Sequence, residues 1–288
     1  LESSGMKRYL KELKPSELED IIAMVSLYRP GPMDLIPSYI ARKHGLEKVT
    51  YLHQKLEPIM KNTYGVGVYQ EQMMRIARDL AGFTLAEADG LRKAIGKKIK
   101  ALLDQQKGKL INGMIKNGIE KKTAEDIWEL FPPFARYGFN RSHAACYATI
   151  AYQTAYLKAH YPVEFMASLL NSESGDVDRI AFLMAECKKM KIDVLPPDIN
   201  KSSAPFTPDG PNIRFGLSAI KNVGENIVQA IIEERQRGGE FKKLSEMIYR
   251  VLHKDLNKKS LESLAKCGAF DSFGLERNAI LTNMDEIL

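Results

Sequence analysis

The sequence predicts a mainly α-helical protein, with a multi-helix domain followed by a small helical domain and only minor β structure. Apolar residues recur at helical period over most of the chain, and prolines or glycines stand where many of these segments end. Near residue 193 the pattern changes to a proline-rich stretch with short β-like runs, and two helix–turn–helix units follow. We therefore place a domain boundary near residue 200, which gives domains 1–200 and 201–288.

Start and stop signals divide the first domain into ten predicted helices. Ser16 with Glu19 is expected to form a capping box for the second helix, and Thr84 with Glu87 one for the fifth. Proline cannot continue a helix, so Pro162 is expected to end the longest of them. In chain order the predicted helices cover residues 4–14, 16–28, 34–43, 69–80, 84–95, 99–117, 123–131 (ended by Pro132-Pro133), 142–161, 163–171 and 177–190.

Around the boundary the sequence changes character. Short β-like runs at 192–195 and 212–216 lie on either side of the turn Pro208-Asp209-Gly210-Pro211. The segments 217–235 and 256–270 then each predict a short helix–turn–helix unit.

Composition excludes several classes of protein. With 44% hydrophobic residues the chain is not a disordered tail, and the absence of an apolar run of 18 residues indicates that nothing in it spans a membrane. Cys146, Cys187 and Cys267 are scattered, which argues against a disulfide framework or a thiolate zinc site and favours a reducing, cytoplasmic location. Because the chain begins with Leu1, we expect it to be a segment of a longer protein.

Basic residues are concentrated in residues 92–122. This stretch holds ten lysines and arginines against two acids, a net charge of +8 that exceeds the +6 of the whole chain. Such a surface is typical of a phosphate binder. Arg92-Lys93 and Lys97-Lys98 flank Gly96, where a helix break could point backbone N–H groups outward. The alternative is a solvated, lysine-rich helix without a ligand.

A second cluster, residues 136–143, combines arginines, aromatic residues and a histidine. Tyr137 lies in a loop that we expect to be irregular, and Ser142 is expected to cap the next helix. The N-terminus of that helix, with Arg141 and His143 beside it, predicts a seat for a triphosphate. The same residues are equally compatible with a tight turn that binds no ligand, in which the tyrosine is buried and the histidine has its hydrogen bonds within the protein. The tyrosines of the following helix are expected to pack in the core: Tyr147, Tyr152 and Tyr156.

The third signal fits a helix-hairpin-helix, a motif in which a short turn offers backbone N–H groups to a DNA phosphate. The turn is Lys221-Asn222-Val223-Gly224, with Asn222 in place of the first glycine of the ideal Gly-apolar-Gly. Asparagine tolerates the positive φ that this position needs. A second, more degenerate unit contains Lys266 and Gly268. Either unit could instead be a plain packing element.

Catalytic groups are not evident in the sequence. Metal-dependent phosphoryl transfer needs paired carboxylates, and the Asp-x-Asp at 176–178 is better explained as the first turn of a helix. We therefore expect no catalytic residue and no metal site in this chain, which would bind phosphates without supplying the chemistry.

Several motifs, in a fixed order along the whole chain, strongly resemble the alpha subunits of bacterial DNA polymerase III, the C-family replicative polymerases. These motifs are Leu1–Met6, Leu27–Pro32, Arg42–Gly45, Thr63–Gly65, Tyr69–Gln72, Gly96–Lys98, Tyr137–His143 and Leu195–Asn200. The resemblance implies that residues 1 to about 200 are polymerase fingers. It also implies that residues from about 212 to 274 are a tandem helix-hairpin-helix that grips duplex DNA. In that family the palm, with its metal-binding aspartates, lies upstream.

Site residues follow from the same resemblance, position by position. Arg92 and Lys93 correspond to a basic pair that faces the triphosphate, and Tyr137 and His143 match an aromatic residue and a histidine of the nucleotide pocket. The full predicted nucleotide-binding set is Arg92, Lys93, Lys97, Tyr137, Asn140, Arg141, Ser142 and His143. The predicted DNA-binding set is Lys98, Lys221, Asn222, Val223, Gly224, Lys266 and Gly268. The resemblance leaves His44 and Tyr69–Gln72 without a role.

The intact protein is accordingly expected to extend primer-template DNA with deoxynucleoside triphosphates. The resemblance implies that Mg²⁺ is held by the palm outside this chain, and that the sliding clamp and other replisome subunits bind elsewhere too. Two alternatives remain open from the residues alone: a non-catalytic tandem helix-hairpin-helix module that binds only DNA, and a helical protein–protein scaffold.

Overall fold

The computed structural model of the chain describes residues 1–97 and 100–287, with side chains described except at 95–97, 100–103 and 134–136. The chain divides into two compact units, Leu1–Thr154 and Ala155–Leu288. The mainly α-helical class that the sequence predicts is confirmed. Within the described ranges, no helix is both long enough and apolar enough to cross a membrane.

The described part of the first unit is built from helices and the loops that join them. Its helices are α1 (Ser4–Leu13), α2 (Leu18–Leu27), α3 (Ile36–Lys43), α4 (Glu57–Met60), α5 (Gln70–Ala81), α6 (Leu85–Lys97), α7 (Lys100–Lys116), α8 (Lys121–Trp128), α9 (Phe131–Tyr137) and α10 (Arg141–His160), the last of which continues into the second unit. Single turns of 3-10 helix precede α3, at Pro32–Leu35, and lie on either side of α4, at Gln54–Leu56 and Lys61–Thr63.

Two apolar cores support this unit. One is formed by α4 to α9, where Leu91, Leu110 and Phe131 are buried together with Trp128. The other joins α1, α2 and α3 to the start of α10, which contributes its small Ala144 and Ala148. Helix α6 packs on α5, α7 and α9, so its position is fixed from three sides.

Helix starts show where local signals suffice and where they do not. The capping box of α6 is confirmed: Thr84 N donates to Glu87 Oε2 at 2.7 Å, and Glu87 N donates to Thr84 Oγ1 at 3.3 Å. The expected cap at Ser16 is wrong, because α2 begins at Leu18 and the carboxylate of Asp20 accepts the N–H groups of Ser16 and Glu17 at 2.9 and 3.1 Å.

Pro132-Pro133 was expected to end a helix, and that expectation is also wrong. Helix α8 already ends at Trp128, and the two prolines lie in the first turn of α9. The first N–H groups of a helix have no intrahelical partner, so proline is tolerated at that position.

Helix α7 crosses α5 closely at Gly113. A Cβ added there would lie 2.3 Å from the backbone oxygen of Ala81, whereas one at Gly108 of the same helix would meet nothing within 4 Å. We expect Gly113→Ala to lower the free energy of unfolding by about 1–3 kcal/mol through overpacking. Gly108→Ala, the matched control, should raise it by about 0.5–1 kcal/mol, since alanine favours the helix. Trp128, the chain's one tryptophan, lies in this core and makes its fluorescence the readout of urea unfolding.

The second unit combines helices with a small sheet. Its helices are α11 (Pro162–Ser172), α12 (Val177–Lys189), α13 (Glu225–Gly238), α14 (Leu244–Arg250), α15 (Lys258–Cys267), α16 (Arg277–Thr282) and α17 (Met284–Ile287). Its strands are β1 (Val194–Leu195), β2 (Thr207–Asp209) and β3 (Asn212–Arg214), in the order β1-β3-β2.

In the sheet, β1 runs parallel to β3, with Val194 opposite Ile213, and β2 runs antiparallel to β3. One face of this sheet packs with α11 and α12 in a core that includes Leu170 and Leu183. A separate core joins α13 to α17 and contains Ile227 and Leu264. The predicted β-like runs are thus confirmed as a minor part of the fold.

Candidate nucleic-acid interface

Arg92 and Lys93 lie on α6 and share one carboxylate partner, Asp89. Asp89 Oδ1 accepts from Arg92 Nη2 at 2.7 Å and from Arg92 Nε at 2.9 Å, and Oδ2 lies 2.7 Å from Lys93 Nζ. Hydrogen bonds from Lys93 and Arg92 hold the pKa of Asp89 below its usual range. The two cations remain accessible, with 35% of the Arg92 side chain and 60% of the Lys93 side chain exposed.

Acids just outside the basic stretch neutralise part of its charge. Lys109 Nζ lies 2.6 Å from Glu87 Oε1, and Lys107 Nζ lies 3.5 Å from Glu129 Oε1. Hydrogen bonds from Lys109 and Thr84 lower the pKa of Glu87 to about 2. Counting charges within residues 92–122 alone therefore overstated the local excess of cations.

Gly96 does not break its helix, contrary to expectation, since α6 continues through it to Lys97. The predicted contacts of Lys98 and of the Lys97 side chain lie outside the described residues.

Tyr137 is the last residue of α9, so the expectation that it lies in an irregular loop is wrong. The loop that follows, residues 138–140, is held by Val68 and by Tyr69–Gln72, the motif for which the resemblance gives no role. Phe139 N donates to Val68 O at 3.0 Å, and Gln70 N donates to Phe139 O at 2.9 Å, so the two segments pair as a short parallel bridge. The side chain of Gln70 also donates to Gly138 O at 3.0 Å. This motif therefore fixes the backbone that carries the candidate nucleotide contacts. His44, the other residue without a role, has its Nε2 within 3.0 Å of Glu12 O.

The N-terminus of α10 is capped by Asn140, whose Oδ1 accepts from His143 N at 2.9 Å; the expected cap at Ser142 is wrong. Both carboxylate oxygens of Glu71 accept from Arg141 N at 3.1 Å, and the Arg141 guanidinium pairs with Glu19. Three of the first four N–H groups of the helix, those of residues 141, 143 and 144, thus have acceptors within the chain. The terminus predicted to hold a triphosphate already holds the carboxylate of Glu71.

Phe139 contacts a residue from each side of the candidate site, Arg29 and His143. Arg29 donates through Nη2 to Tyr137 O and stacks over the Phe139 ring at 4.3 Å. His143 is exposed, and its ring centroid lies 5.5 Å from that of Phe139 and 4.8 Å from that of Tyr147. An accessible imidazole beside an aromatic ring offers a flat surface on which a sugar or base could pack.

The expectation that the tyrosines of α10 pack in the core is wrong. Tyr147, Tyr152 and Tyr156 are 57%, 52% and 46% exposed, because α10 reaches the core of the first unit through the small side chains of Ala144 and Ala148. Helical period identified the helix but not the face that it buries.

The predicted nucleotide-binding residues lie on α6, at the end of α9, and at and just before the start of α10 in the first unit. Arg92 and Lys93 lie on α6, which packs on α9, and α9 ends at Tyr137, where the loop to α10 begins. Sequence reasoning missed Asp89 and Glu71. The three- and four-residue spacing from Asp89 to the two cations was a signal that could have identified Asp89; Glu71 is 70 residues from its partner.

The first hairpin of the second unit is open to a ligand. Asn222 has φ +67°, so the expected positive φ is confirmed. Gly224 is the N-cap of α13 and has no side chain, and a Cβ added there would meet nothing within 4 Å. Val223 is buried and anchors the turn, while Lys221 is exposed beside it. The element before the turn is a single 3-10 turn, Leu217–Ala219, and not the helix that was expected.

The second hairpin is closed by its own side chains. Gly268 ends α15 with φ +85° and is buried, and its N–H donates to Ala265 O at 3.0 Å. Arg277 pairs with Asp271 across Gly268, and Lys266 lies 3.3 Å from Glu262. Of the two turns, the first is therefore the better candidate for a phosphate contact.

The carboxylates of the described part do not form a metal site. No group of three His, Cys, Asp or Glu side chains in it could hold a metal ion. Asp176 accepts from Arg179 N at 3.0 Å and caps α12, which confirms the first-turn interpretation of the Asp-x-Asp.

Comparison with known proteins places these features in a family. Residues 1–118 match the sequence model of the bacterial DNA polymerase III alpha subunit finger domain, and residues 191–280 match that of the helix-hairpin-helix motif. The entire chain is 48% identical to DNA polymerase III subunit alpha of Thermus aquaticus, over 24% of that protein's length, and 48% identical to that of Bacillus subtilis, over 26%. The corresponding subunit of Borreliella burgdorferi is 45% identical, again over the whole chain and over 25% of that protein. The chain thus spans about a quarter of the length of these curated relatives, and it belongs to the family of bacterial DNA polymerase III alpha subunits.

Proposed function

We propose that this chain is the part of a DNA-directed DNA polymerase that positions the incoming deoxynucleoside triphosphate and holds duplex DNA. The observation that carries the proposal is the pair of solvent-accessible cations on α6, the half-buried Arg92 and the exposed Lys93, in the segment that matches the finger domain. The polymerase activity itself belongs to the intact protein.

Helix α6 suits a phosphate contact because it is rigid on one side and cationic on the other. Ala88, Leu91 and Ala94 are buried in the core, so the helix cannot turn without disrupting its packing. The guanidinium of Arg92 presents a planar fork that matches phosphate oxygens. Holding the triphosphate in a fixed orientation lowers the barrier to its transfer without a covalent role for the chain.

The segment from Tyr137 to His143, which joins α9 to the first turn of α10, would then face the sugar or the base. The triphosphate is assigned to α6 and not to the start of α10, since Glu71 and Glu19 already occupy Arg141 there. Asn140 acts in this proposal by fixing the helix start. Arg141 reaches the nucleotide only if those two carboxylates move away, whereas Ser142 is exposed beside it.

The first hairpin is proposed to hold the DNA backbone. Its helix α13 begins at an exposed glycine without a side-chain cap, and the N-terminus of a helix attracts phosphate. Lys221 adds a positive charge at the same turn. Asn222 Nδ2 donates to Ser263 Oγ at 3.2 Å, which ties this turn to α15.

Lys221→Ala in the intact polymerase is expected to weaken duplex binding and to reduce the salt slope of log K by about 0.9, the contribution of one neutralised phosphate. Gly224→Val should weaken binding further, because the branched side chain would stand between the backbone N–H groups and the phosphate. Binding isotherms at several salt concentrations measure both.

Lys266→Ala is the matched control, since it removes the same charge from the closed hairpin and should leave the slope nearly unchanged. Equal slopes for the wild type and Lys221→Ala would rule out the assignment of the first hairpin.

The remaining partners are proposed for other parts of the intact protein. No group of three potential metal ligands lies in the described part of the chain. We assign the catalytic Mg²⁺ to the palm of the polymerase, as the resemblance implies. We also propose that the sliding clamp and other replisome subunits contact parts of the intact protein outside this chain. The intact protein is proposed to be cytoplasmic.

A further inference from the structure

We propose that Asp89 is a positioning residue that competes with phosphate for Arg92 and Lys93: it holds both cations in the empty site and takes them back when pyrophosphate leaves. This inference rests on the proposed function, because it needs the two cations to bind the triphosphate.

The carboxylate of Asp89 contacts Arg92 and Lys93 at the same time. Each oxygen of the Asp89 carboxylate serves a different cation, with Oδ1 2.7 Å from Arg92 Nη2 and Oδ2 2.7 Å from Lys93 Nζ. Asp89 precedes its partners by three and four residues, so all three side chains project from the same face of α6. Both cations are therefore pre-arranged beside each other before any phosphate arrives.

The ion pairs of Asp89 are weak enough for a triphosphate to replace its carboxylate as the partner of the two cations. The Asp89 side chain is 33% exposed and its partners are 35% and 60% exposed, and ion pairs this accessible to water contribute little individually. A triphosphate carries several negative charges and can displace a single carboxylate. Because Ala88, Leu91 and Ala94 keep α6 in the core, the exchange needs only side-chain rotations.

Competition of this kind acts on substrate and product alike. Incoming triphosphate and departing pyrophosphate present the same oxygens to the same two cations, so the carboxylate weakens the binding of both. The competition by Asp89 favours the release of pyrophosphate. Two cations without another partner would retain pyrophosphate, whereas Asp89 offers them an alternative anion on the same helix.

Asp89→Asn in the intact polymerase tests the proposal, since it keeps the size of the side chain and removes its charge. We expect the KM for deoxynucleoside triphosphate and the Ki for pyrophosphate to fall together by about threefold to fivefold, as two weak ion pairs are lost. Steady-state primer extension with added pyrophosphate measures both constants.

Asp79→Asn is the matched control. Asp79 also pairs with two cations, Arg75 at 3.7 Å and Arg78 at 2.8 Å, but on α5, and the loss of its charge should change neither constant. In an Arg92→Ala/Lys93→Ala background, Asp89→Asn should also have no effect, because its partners are gone.

The outcomes separate this inference from the proposed function. If Arg92→Ala/Lys93→Ala leaves the KM unchanged, the nucleotide site itself is misassigned. If that double variant raises the KM but Asp89→Asn leaves both constants unchanged or raises them, the site stands and the competition by Asp89 is refuted. A purely structural Asp89 would shift the melting temperature without lowering the Ki for pyrophosphate.

Discussion

Replacing both Arg92 and Lys93 by alanine is expected to lower kcat/KM for deoxynucleoside triphosphates about 100-fold or more in the intact polymerase. Each side chain would lose a charged hydrogen bond to phosphate, worth about 1.5–3 kcal/mol, and about 1.4 kcal/mol corresponds to a tenfold change. Single-nucleotide incorporation on a fixed primer-template measures the constant. Duplex affinity should change little, since the duplex is assigned to the first hairpin.

Arg78→Ala provides the matched control for this experiment. Arg78 is an exposed arginine on α5 that pairs with Asp79 at 2.8 Å, much as Arg92 pairs with Asp89, but it has no assigned ligand. Its loss should leave kcat/KM unchanged. A double variant of Arg92 and Lys93 with wild-type kcat/KM would instead favour the alternative of a module that binds DNA alone.

Features that depend on neighbouring residues in the chain could be predicted from the sequence. The capping box of Thr84 and Glu87, the helix start at the Asp-x-Asp of residues 176–178 and the positive φ of Asn222 are all confirmed. Each depends on groups within three residues or on the conformational preference of one side chain, so its pattern is complete in the sequence.

Predictions of helix ends failed where the local sequence is compatible with two different structures. Asn140 and Ser142 are both good capping residues, and the sequence alone did not show that the helix begins at Arg141. Two prolines can end one helix or begin the next, which is how Pro132-Pro133 was misjudged. The prediction that the tyrosines of α10 are buried failed for a similar reason. Alanines and tyrosines both count as apolar in a helical pattern, so the pattern does not show which of them faces the core.

The most consequential contacts of the candidate site are distant in sequence. Arg141 is 70 residues from Glu71 and 122 from Glu19, and Tyr137 is 108 residues from Arg29. No periodicity connects such pairs. The sequence predicted phosphate contacts both on α6 and at the start of α10. Because Glu71 and Glu19 pair with Arg141 at the start of α10, we propose α6 for the triphosphate.

Asp20→Ala is expected to have the largest effect on stability, a loss of about 3–5 kcal/mol in the free energy of unfolding of the first unit. Asp20 is 2% exposed, and its Oδ2 accepts from Lys43 Nζ at 2.8 Å and from two backbone N–H groups at the start of α2. Removing the carboxylate leaves the ammonium of Lys43, whose side chain is 9% exposed, without a counter-ion. Urea unfolding followed by Trp128 fluorescence measures the loss, since that residue lies in the first unit.

The double variant Asp20→Ala/Lys43→Met separates the buried charge from the lost contacts. An uncompensated buried charge is what makes the single variant costly, so removing the lysine charge as well should recover much of the lost stability. The stability that the double variant does not recover measures the contribution of the two hydrogen bonds from the N–H groups of Ser16 and Glu17, because both variants lack the carboxylate that accepts them. If the double variant were as unstable as Asp20→Ala, the carboxylate would act mainly as the acceptor that starts α2, and the ion pair with α3 would contribute little.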